Sequence, residues 1–202
     1  MSSEARQVIL DSIRAHLAAS PPNEPQILAD ERESDPPASA NIRGLFKENL
    51  EAVAGHCVIT TDVTDVLRQI LTELRAQRIA ISDAPELAEF GVVPGAAEIF
   101  EFEVGITTAQ AAIAETGTLV LDSSCERNRL VSVVPPVHIA IVAASRICAT
   151  LSEALAIMQS GKEVSPVVTF ITGPSRTADI ELTLTIGVHG PRELYVIIDE
   201  SS

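Results

Sequence analysis

The stretch Val167-Val168-Thr169-Phe170-Ile171-Thr172-Gly173-Pro174-Ser175-Arg176-Thr177 joins the pattern of a buried strand directly to a polar loop. Its apolar run stops at a Gly-Pro turn, and a hydroxyl, a guanidinium and a second hydroxyl follow at once. Open α/β folds carry ligands on the loops beyond their strands, because the strands fix the loop backbone while its polar groups stay accessible. The stretch therefore predicts an α/β fold with a binding loop at residues 173–177.

Similar strand patterns recur along the chain and alternate with helical patterns. Strands are predicted at 57–60, 78–82, 118–121, 138–142, 167–171, 182–186 and 194–198, with one or two more between 96 and 104. Helices are predicted at 42–53, 63–74, 107–114 and 151–159. Continuous Val/Ile runs in such an alternation indicate a mostly parallel sheet flanked by helices.

The first forty residues have a different composition. Residues 1–19 carry apolar side chains at helical spacing and predict an amphipathic N-terminal helix. Residues 20–39 hold five prolines and five acidic residues, a composition that cannot bury enough apolar surface to order itself. We therefore expect a flexible linker there, followed by a folded α/β domain at 40–202.

Charge and length restrict the class of partner. The 202 residues are 46% apolar, enough for one substantial core, and carry a formal net charge of -14. Such a negative balance argues against nucleic acid or an anionic membrane surface as a partner. A small anionic ligand would therefore need a local pocket of positive or neutral groups. The chain shows neither a leader pattern nor an apolar run long enough to span a membrane, so a soluble protein is expected.

The three cysteines, Cys57, Cys125 and Cys148, are odd in number and widely spaced. They indicate neither a disulfide framework nor a zinc or iron-sulfur site, and a reducing cytoplasm fits them best. No G-x-G-x-x-G fingerprint follows a strand, so a tightly held nicotinamide is not expected. With no cluster spacing among the cysteines either, we expect no cofactor. Cys125 has no clearly paired histidine that would mark it as a nucleophile.

Glu115, in Ala114-Glu115-Thr116-Gly117-Thr118, is the first candidate for chemistry. One interpretation is a helix C-terminus closed by Gly117 in a left-handed conformation, with Glu115 solvated. A carboxylate near a helix C-terminus opposes the helix dipole, however, and this cost favours a functional role as base or nucleophile. Both interpretations remain open.

Polar loops supply the other candidates. Arg129 lies in a loop with two arginines that can offer bidentate donors to a carboxylate, although a solvated cluster is the commoner outcome. Gly173, Ser175, Arg176 and Thr177 could together hold an anion, or form a turn in which Arg176 pairs with a nearby acid. His189, between two glycines, could carry a proton or contact an anion, although a lone loop histidine is more often neither.

In order and spacing, several blocks of the chain closely resemble the LUD (lactate utilisation) domain family. These blocks are 112–121, 129–135 with His138-Ile139, 171–181, and Gly187-Val188-His189-Gly190-Pro191. The resemblance covers most of residues 41–199 and implies the α/β fold of the NagB/RpiA/CoA-transferase-like type. It also implies iron-sulfur companion proteins, with which such chains act in the oxidation of L-lactate to pyruvate.

Two hypotheses of function follow. In the favoured one, the chain is a non-iron-sulfur subunit or accessory protein of L-lactate oxidation, since it has no C-x-x-C-x-x-C-x-x-x-C run of its own. Its predicted site residues would then line one pocket for a small carboxylate or other anion. In the other, it is a free-standing acyl- or CoA-transferase-like or sugar-phosphate isomerase-like enzyme with Glu115 as nucleophile or base. A structural docking module is a third possibility.

Overall fold

The computed structural model describes residues 3–19, 41–125, 128–159, 166–177, 185–186 and 189–201. The linker predicted at 20–39 lies outside the described residues. The chain divides into two units, Met1–Asp35 and Pro36–Ser202. In the first, helix α1 spans Ser3–Ala19, and three apolar side chains on it are exposed, namely Val8, Ile9 and Ile13. None of the described helices combines the length and apolar composition needed to cross a membrane.

The second unit alternates helices and strands. Its helices are α2 (Ile42–Ala52), α3 (Val63–Leu74) and α4 (Leu151–Gln159). Its strands are β1 (His56–Thr60), β2 (Ile79–Ile81), β3 (Val104–Thr108), β4 (Ala111–Ile113), β5 (Thr118–Asp122), β6 (Val137–Ala143), β7 (Ile147–Cys148), β8 (Val168–Ile171), β9 (Arg176–Thr177), β10 (Thr185–Ile186) and β11 (Glu193–Asp199).

The main sheet has five parallel strands in the order β1-β11-β6-β3-β2. A second, four-stranded sheet has the order β7-β4-β5-β8, in which β5 runs antiparallel to both of its neighbours and β7 is parallel to β4. Strands β9 and β10 form a short antiparallel pair. The predicted α/β fold with a mostly parallel sheet flanked by helices is confirmed. The division of the strands into two sheets was not predicted.

The two faces of the five-stranded sheet bury different partners, because successive side chains of a strand point to opposite faces. On one face Val196 and Ile198 pack in a core that includes Phe46 of α2 and strands β4 and β5 of the second sheet. On the other face Ile197 packs with Leu67 of α3. Helix α4 contributes Ala154 to a further core on the outer face of the second sheet.

Local signals fix the helix ends. The Asp62 side chain accepts a hydrogen bond from the Asp65 N-H and begins α3, and Arg75, at φ 53°, closes it in a left-handed conformation. Asn41 begins α2 in the same way, by accepting from the Gly44 N-H. Such caps satisfy backbone groups that have no partner within the helix. The helices predicted at 42–53, 63–74 and 151–159 are confirmed within a residue.

The helix predicted at 107–114 is wrong, because this segment forms the end of β3 and the whole of β4. Its alanines suggested a helix, since alanine is the strongest helix former. Ala112 and Ala114 are instead completely buried between the two sheets, and Ala111 is completely buried on the outer face of the second sheet, in the core that includes Ala154 of α4. Periodicity does not distinguish helix from strand in a run such as 111–114, where every position is buried.

Two further predictions need correction. Residues 96–103 contain a 3-10 turn, Ile99–Glu101, and no strand; the strand in this region is β3, which begins only at Val104. Gly117 is left-handed, as one interpretation required, with φ 65°, but it lies in the hairpin turn between β4 and β5 and closes no helix. A Cβ at Gly117 would lie 2.4 Å from the backbone nitrogen of Leu50, so the turn packs directly on α2.

Candidate functional site

The predicted binding loop meets the His189 turn beside the start of strand β11. The Ser175 N-H donates to the Pro191 carbonyl at 2.8 Å. A Cβ at Gly190 would lie 3.1 Å from the Ser175 Cβ. The two loops are therefore in close contact, and a side chain at residue 190 would crowd Ser175. Two segments that are distant in sequence are thereby joined at the amino edge of the five-stranded sheet.

His138, the second residue of β6, lies behind these loops. Its side chain is 1% exposed, and its Nε2 atom is 2.9 Å from the Thr107 hydroxyl of the neighbouring strand β3. Its Nδ1 atom is buried and has no hydrogen-bond partner among the described residues. Burial lowers the pKa of His138 to about 4, so the ring is neutral near pH 7. A buried polar atom without a partner costs about 1–3 kcal/mol, which favours a bound group that would satisfy it.

A cavity of about 170 Å³ opens between His138 and the two loops. We call it the histidine cavity; it is lined by Ser132, Val133, His138, Ile171, Gly173, Ser175, His189, Gly190, Pro191 and Leu194. Among the described residues that line it, the polar side chains are two imidazoles and two hydroxyls, and none is acidic. This described lining has no acidic side chain, whereas the chain as a whole carries a net charge of -14.

The segment before β6 closes one side of the histidine cavity because Gly105 leaves space for it. A Cβ at Gly105 would lie 2.0 Å from the carbonyl oxygen of Val131, so only glycine allows this approach. The segment forms a 3-10 turn at Arg129–Ser132, in which the Ser132 hydroxyl donates to the Arg129 carbonyl at 3.0 Å. The Arg129 side chain is exposed and does not line the cavity.

Arg176 has a different environment from Ser175. Its guanidinium donates to the carbonyl of Val53, the residue that ends helix α2. It lines a separate shallow depression together with Thr172 and Gly173. Gly173 borders both this depression and the histidine cavity, and it has a φ of 145° that favours glycine. Thr177 contributes its backbone to the β9–β10 pair.

Glu115 lies in the hairpin turn between β4 and β5. Its carboxylate accepts the backbone N-H of Leu151, the first residue of α4, at 2.8 Å. It lines a third depression, with Leu155 and Phe170. The structure therefore brings Gly173, Ser175 and His189 together and places Glu115, Arg129 and Arg176 elsewhere. The expected single pocket divides into neighbouring sites.

A larger cavity, of about 790 Å³, lies at the opposite edge of the five-stranded sheet, where β3, β6 and β11 end. We call it the carboxyl-edge cleft; it is lined by Val63, Thr64, Leu87, Phe90, Thr108, Ala109, Gln110, Asp122, Cys125, Ile141, Ala143, Arg146, Ile157, Met158 and Asp199. Sequence reasoning missed its polar residues. The available signal was a charged residue at the end of an apolar strand run, as at Asp122 and Asp199.

The fold and the two edge cavities define an α/β protein with a small polar site at one end of its sheet. A family model for the LUD domain matches residues 96–198, which is half of the chain and includes His138, Ser175 and His189. The chain belongs to the LUD domain family, as the sequence blocks predicted.

Individual relatives agree with this assignment. The chain is similar to lactate utilization protein C of Bacillus subtilis, with 31% identity over 81% of this chain and 84% of the relative. It is 38% identical to lactate utilization protein C of Bacillus licheniformis, but that match covers only 48% of this chain and 42% of the relative. The crystal structure of a DUF162 family protein from Deinococcus radiodurans has the same fold, with a TM-score of 0.63 at 24% identity over 81% of this chain and 99% of that one.

Proposed function

We propose that this chain is a non-iron-sulfur subunit or accessory protein of an L-lactate oxidation system, and that it binds a small carboxylate in the histidine cavity. The names of its relatives support the biological process. The observation that carries the ligand class is the unpartnered Nδ1 of His138, a buried atom in a residue that lines a cavity with no acidic side chain among its described lining residues.

The hydrogen bond to Thr107 determines what this nitrogen can do. When the Thr107 hydroxyl donates to Nε2, the neutral ring carries its hydrogen on Nδ1 and has a donor left to offer. A carboxylate oxygen is a matching acceptor. The Ser175 hydroxyl and the exposed His189 ring, which line the same cavity, supply further polar contacts at its mouth. These groups can bind and orient an anion without a charged partner.

Size supports a small ligand. A volume of about 170 Å³ corresponds to roughly five or six water molecules, since each occupies about 30 Å³ in the liquid. A short-chain hydroxy acid such as L-lactate is of this order. The apolar members of the lining, among them Ile171 and Leu194, suit a methyl group.

The redox part of the reaction would belong to companion proteins. Oxidation of L-lactate to pyruvate releases electrons and protons, and a one-electron carrier such as an iron-sulfur cluster needs thiolate ligands. The cysteines of this chain do not have the spacing of a ferredoxin-type cluster. Cys57 and Cys148 are buried, and burial raises the pKa of both thiols, that of Cys57 to about 11. In the proposed system this chain binds the carboxylate and the iron-sulfur companions accept the electrons.

The alternative of a transferase-like or isomerase-like enzyme depends on Glu115. Its carboxylate is engaged with the Leu151 N-H, and Glu115 does not line the histidine cavity. A charged acceptor at the first turn of a helix is favourable, so capping explains this residue without catalysis. Within the described parts of the chain, no contact of Glu115 favours the alternative.

Growth on L-lactate tests the proposed role. The gene is deleted in its host, and the strain is complemented with the wild type, with Ser175→Ala, or with Ser152→Ala, which removes an exposed hydroxyl on α4 as a matched control. We expect the deletion to abolish growth on L-lactate, the wild type and Ser152→Ala to restore it, and Ser175→Ala to restore it poorly. Undiminished growth of the deletion strain on L-lactate would refute the role.

A further inference from the structure

Ser82 is a second buried polar residue whose side chain lacks a partner. It directly follows β2 and is completely buried. In the described part of the chain, its hydroxyl oxygen and Nδ1 of His138 are the buried side-chain nitrogen or oxygen atoms without a hydrogen-bond partner. Such atoms are rare in folded proteins, so each of the two needs a physical reason.

The register of the five-stranded sheet places Ser82 beside Thr107. Ile81 of β2 is aligned with Ile106 of β3, and the Ser82 N-H donates to the Ile106 carbonyl at 2.9 Å. The next residues along the two strands, Ser82 and Thr107, are therefore neighbours. Ile81 and Ile106 pack on the face that is covered by α3. Because successive side chains point to opposite faces, Ser82 and Thr107 both point to the other face, which also carries His138.

Three buried polar residues thus form a row across neighbouring strands. We call Ser82, Thr107 and His138 the polar row; each is at most 1% exposed. Neighbouring strands lie about 4.7–4.9 Å apart, a separation that two hydroxyls can bridge directly or through one water molecule. The Thr107 hydroxyl is hydrogen-bonded to His138 at 2.9 Å, and a hydroxyl that donates one hydrogen bond keeps lone pairs to accept another. Thr107 can therefore accept the hydrogen of Ser82.

The balance of donors and acceptors determines the direction of the hydrogen bonds in the polar row. Each member carries one side-chain hydrogen when the histidine ring is neutral. If Nε2 of His138 donated to Thr107, Thr107 would donate to Ser82, and the Ser82 hydrogen would have no acceptor among the described residues. In the opposite direction Ser82 donates to Thr107 and Thr107 donates to Nε2, so both hydroxyl hydrogens are satisfied. The second direction is favoured, because a buried donor without an acceptor is rarer than an acceptor with a vacant lone pair.

We propose that Ser82 and Thr107 are positioning residues, whose hydroxyls form a directed hydrogen-bond relay that holds His138 in the tautomer with its hydrogen on Nδ1. This hydrogen has no acceptor among the described residues, and His138 lines the histidine cavity. A ligand in the cavity must then supply the acceptor, as a carboxylate oxygen does, and a ligand that presents only donors, such as an ammonium group, is disfavoured. The use of this hydrogen for anion binding rests on the proposed function, whereas the tautomer itself can be measured without a ligand.

The tautomer is measured on the ligand-free, ¹⁵N-labelled full chain at about pH 7, well above the pKa of the buried ring. A ring nitrogen that carries a hydrogen and one that does not differ widely in ¹⁵N chemical shift, so the spectrum shows which nitrogen of His138 is protonated. The variant His138→Gln identifies the His138 signals. We expect the hydrogen on Nδ1 in the wild type. A hydrogen on Nε2, or equal populations of the two tautomers, would overturn the proposal.

Variants distinguish positioning from a merely structural role. Ser82→Ala removes the first donor of the relay, and Thr107→Val removes the donor to Nε2. In both variants the tautomer with its hydrogen on Nε2 should appear, and the L-lactate affinity should fall about threefold to tenfold. Thr107→Ser keeps the hydroxyl and should restore the wild-type tautomer and affinity. The control is Thr118→Val, which removes a buried threonine hydroxyl that is bonded to Thr172 at 2.9 Å and does not line the histidine cavity. It should leave His138 in the wild-type tautomer.

Ser82→Ala gives the decisive comparison, because it deletes a single atom that has no described partner and is therefore expected to fold even if Thr107→Val does not. An unchanged tautomer in Ser82→Ala, or an equal change in Thr118→Val, would overturn the relay. The L-lactate titration reports separately on the proposed carboxylate site. The expected tautomer and its loss in Ser82→Ala would confirm the relay even if L-lactate failed to bind, and that failure would refute the carboxylate site alone.

Discussion

Thr107 and His138 share a hydrogen bond of 2.9 Å between the threonine hydroxyl and Nε2 of the imidazole, across the neighbouring strands β3 and β6. The bond fixes the ring inside the five-stranded sheet and leaves the other ring nitrogen, Nδ1, without a described partner. Because burial disfavours the charged form of the ring, protonation of His138 should destabilise the folded chain.

The stability of the protein should depend on pH through His138. Burial lowers its pKa to about 4 in the folded chain, whereas the unfolded chain binds the proton with the ordinary pKa of about 6.5. Between these values the unfolded state binds more protons, so the free energy of unfolding falls as the pH falls from 6.5 to 4, by up to roughly 3 kcal/mol from this group. Above pH 6.5 this contribution is constant. In chemical denaturation from pH 7 to 4, His138→Gln should show a shallower slope than the wild type, and parallel slopes would contradict the prediction.

Gly117→Ala should destabilise the protein by more than about 2 kcal/mol. The substitution places a Cβ at a residue with φ 65° and only 2.4 Å from the Leu50 nitrogen, so both backbone strain and a steric clash oppose it. Thermal denaturation measures the loss. Gly95→Ala is the matched control, because its nearest neighbour, at 3.3 Å, is the flexible side chain of Glu98. Equal stability of the two variants would be inconsistent with this packing.

Arg176→Ala should affect stability more than ligand binding. The guanidinium donates to the Val53 carbonyl at the end of α2, and loss of such a bond at an exposed site costs about 0.5–1.5 kcal/mol. Because Arg176 does not line the histidine cavity, the affinity for L-lactate should change less than threefold. The control is Arg129→Ala, whose exposed guanidinium does not line the cavity either. A tenfold loss of L-lactate affinity in Arg176→Ala alone would instead assign this arginine to the anion site.

Glu115→Gln distinguishes a cap from a catalytic base. The variant keeps a side-chain oxygen that can accept the Leu151 N-H but loses the charge, so we expect a loss of stability below about 1 kcal/mol. Growth on L-lactate should remain at the wild-type level. A base or nucleophile would not tolerate this change, since removal of a general base typically lowers the rate by 10²–10⁴-fold. Abolished growth with normal stability would therefore favour the enzyme hypothesis.

The sequence predicted the parallel sheet well, because continuous apolar runs such as 138–142 and 194–198 are typical of strands buried on both faces. It failed at 107–114, where the four residues 111–114 are all buried and apolar and therefore show no alternation that would distinguish a strand from a helix. The division into two sheets depends on packing between distant segments, and no local pattern specifies it.

The candidate site was only partly predictable, for a related reason. Ser175 and His189 were recognisable as polar residues in turn-forming loops, and the structure places them on one cavity. His138 lies within a strand pattern, so its sequence context indicates only burial. Its missing partner at Nδ1 is visible only when the neighbouring strands and loops are in place. Arg176 and Glu115 looked like ligand contacts, although their nearest partners are the backbone groups of helix ends.

The most direct test of the carboxylate site is a titration of the isotope-labelled full chain with sodium L-lactate, followed by the imidazole ¹⁵N and ¹H signals of its histidines. We predict saturable shifts of the His138 signals, including a downfield shift of the Nδ1-bound proton. The L-lactate affinity obtained from these shifts should fall at least tenfold in Ser175→Ala and should stay at the wild-type value in Ser152→Ala. His138 signals that stay unchanged up to tens of millimolar L-lactate, or that respond equally in both serine variants, would contradict the proposed site.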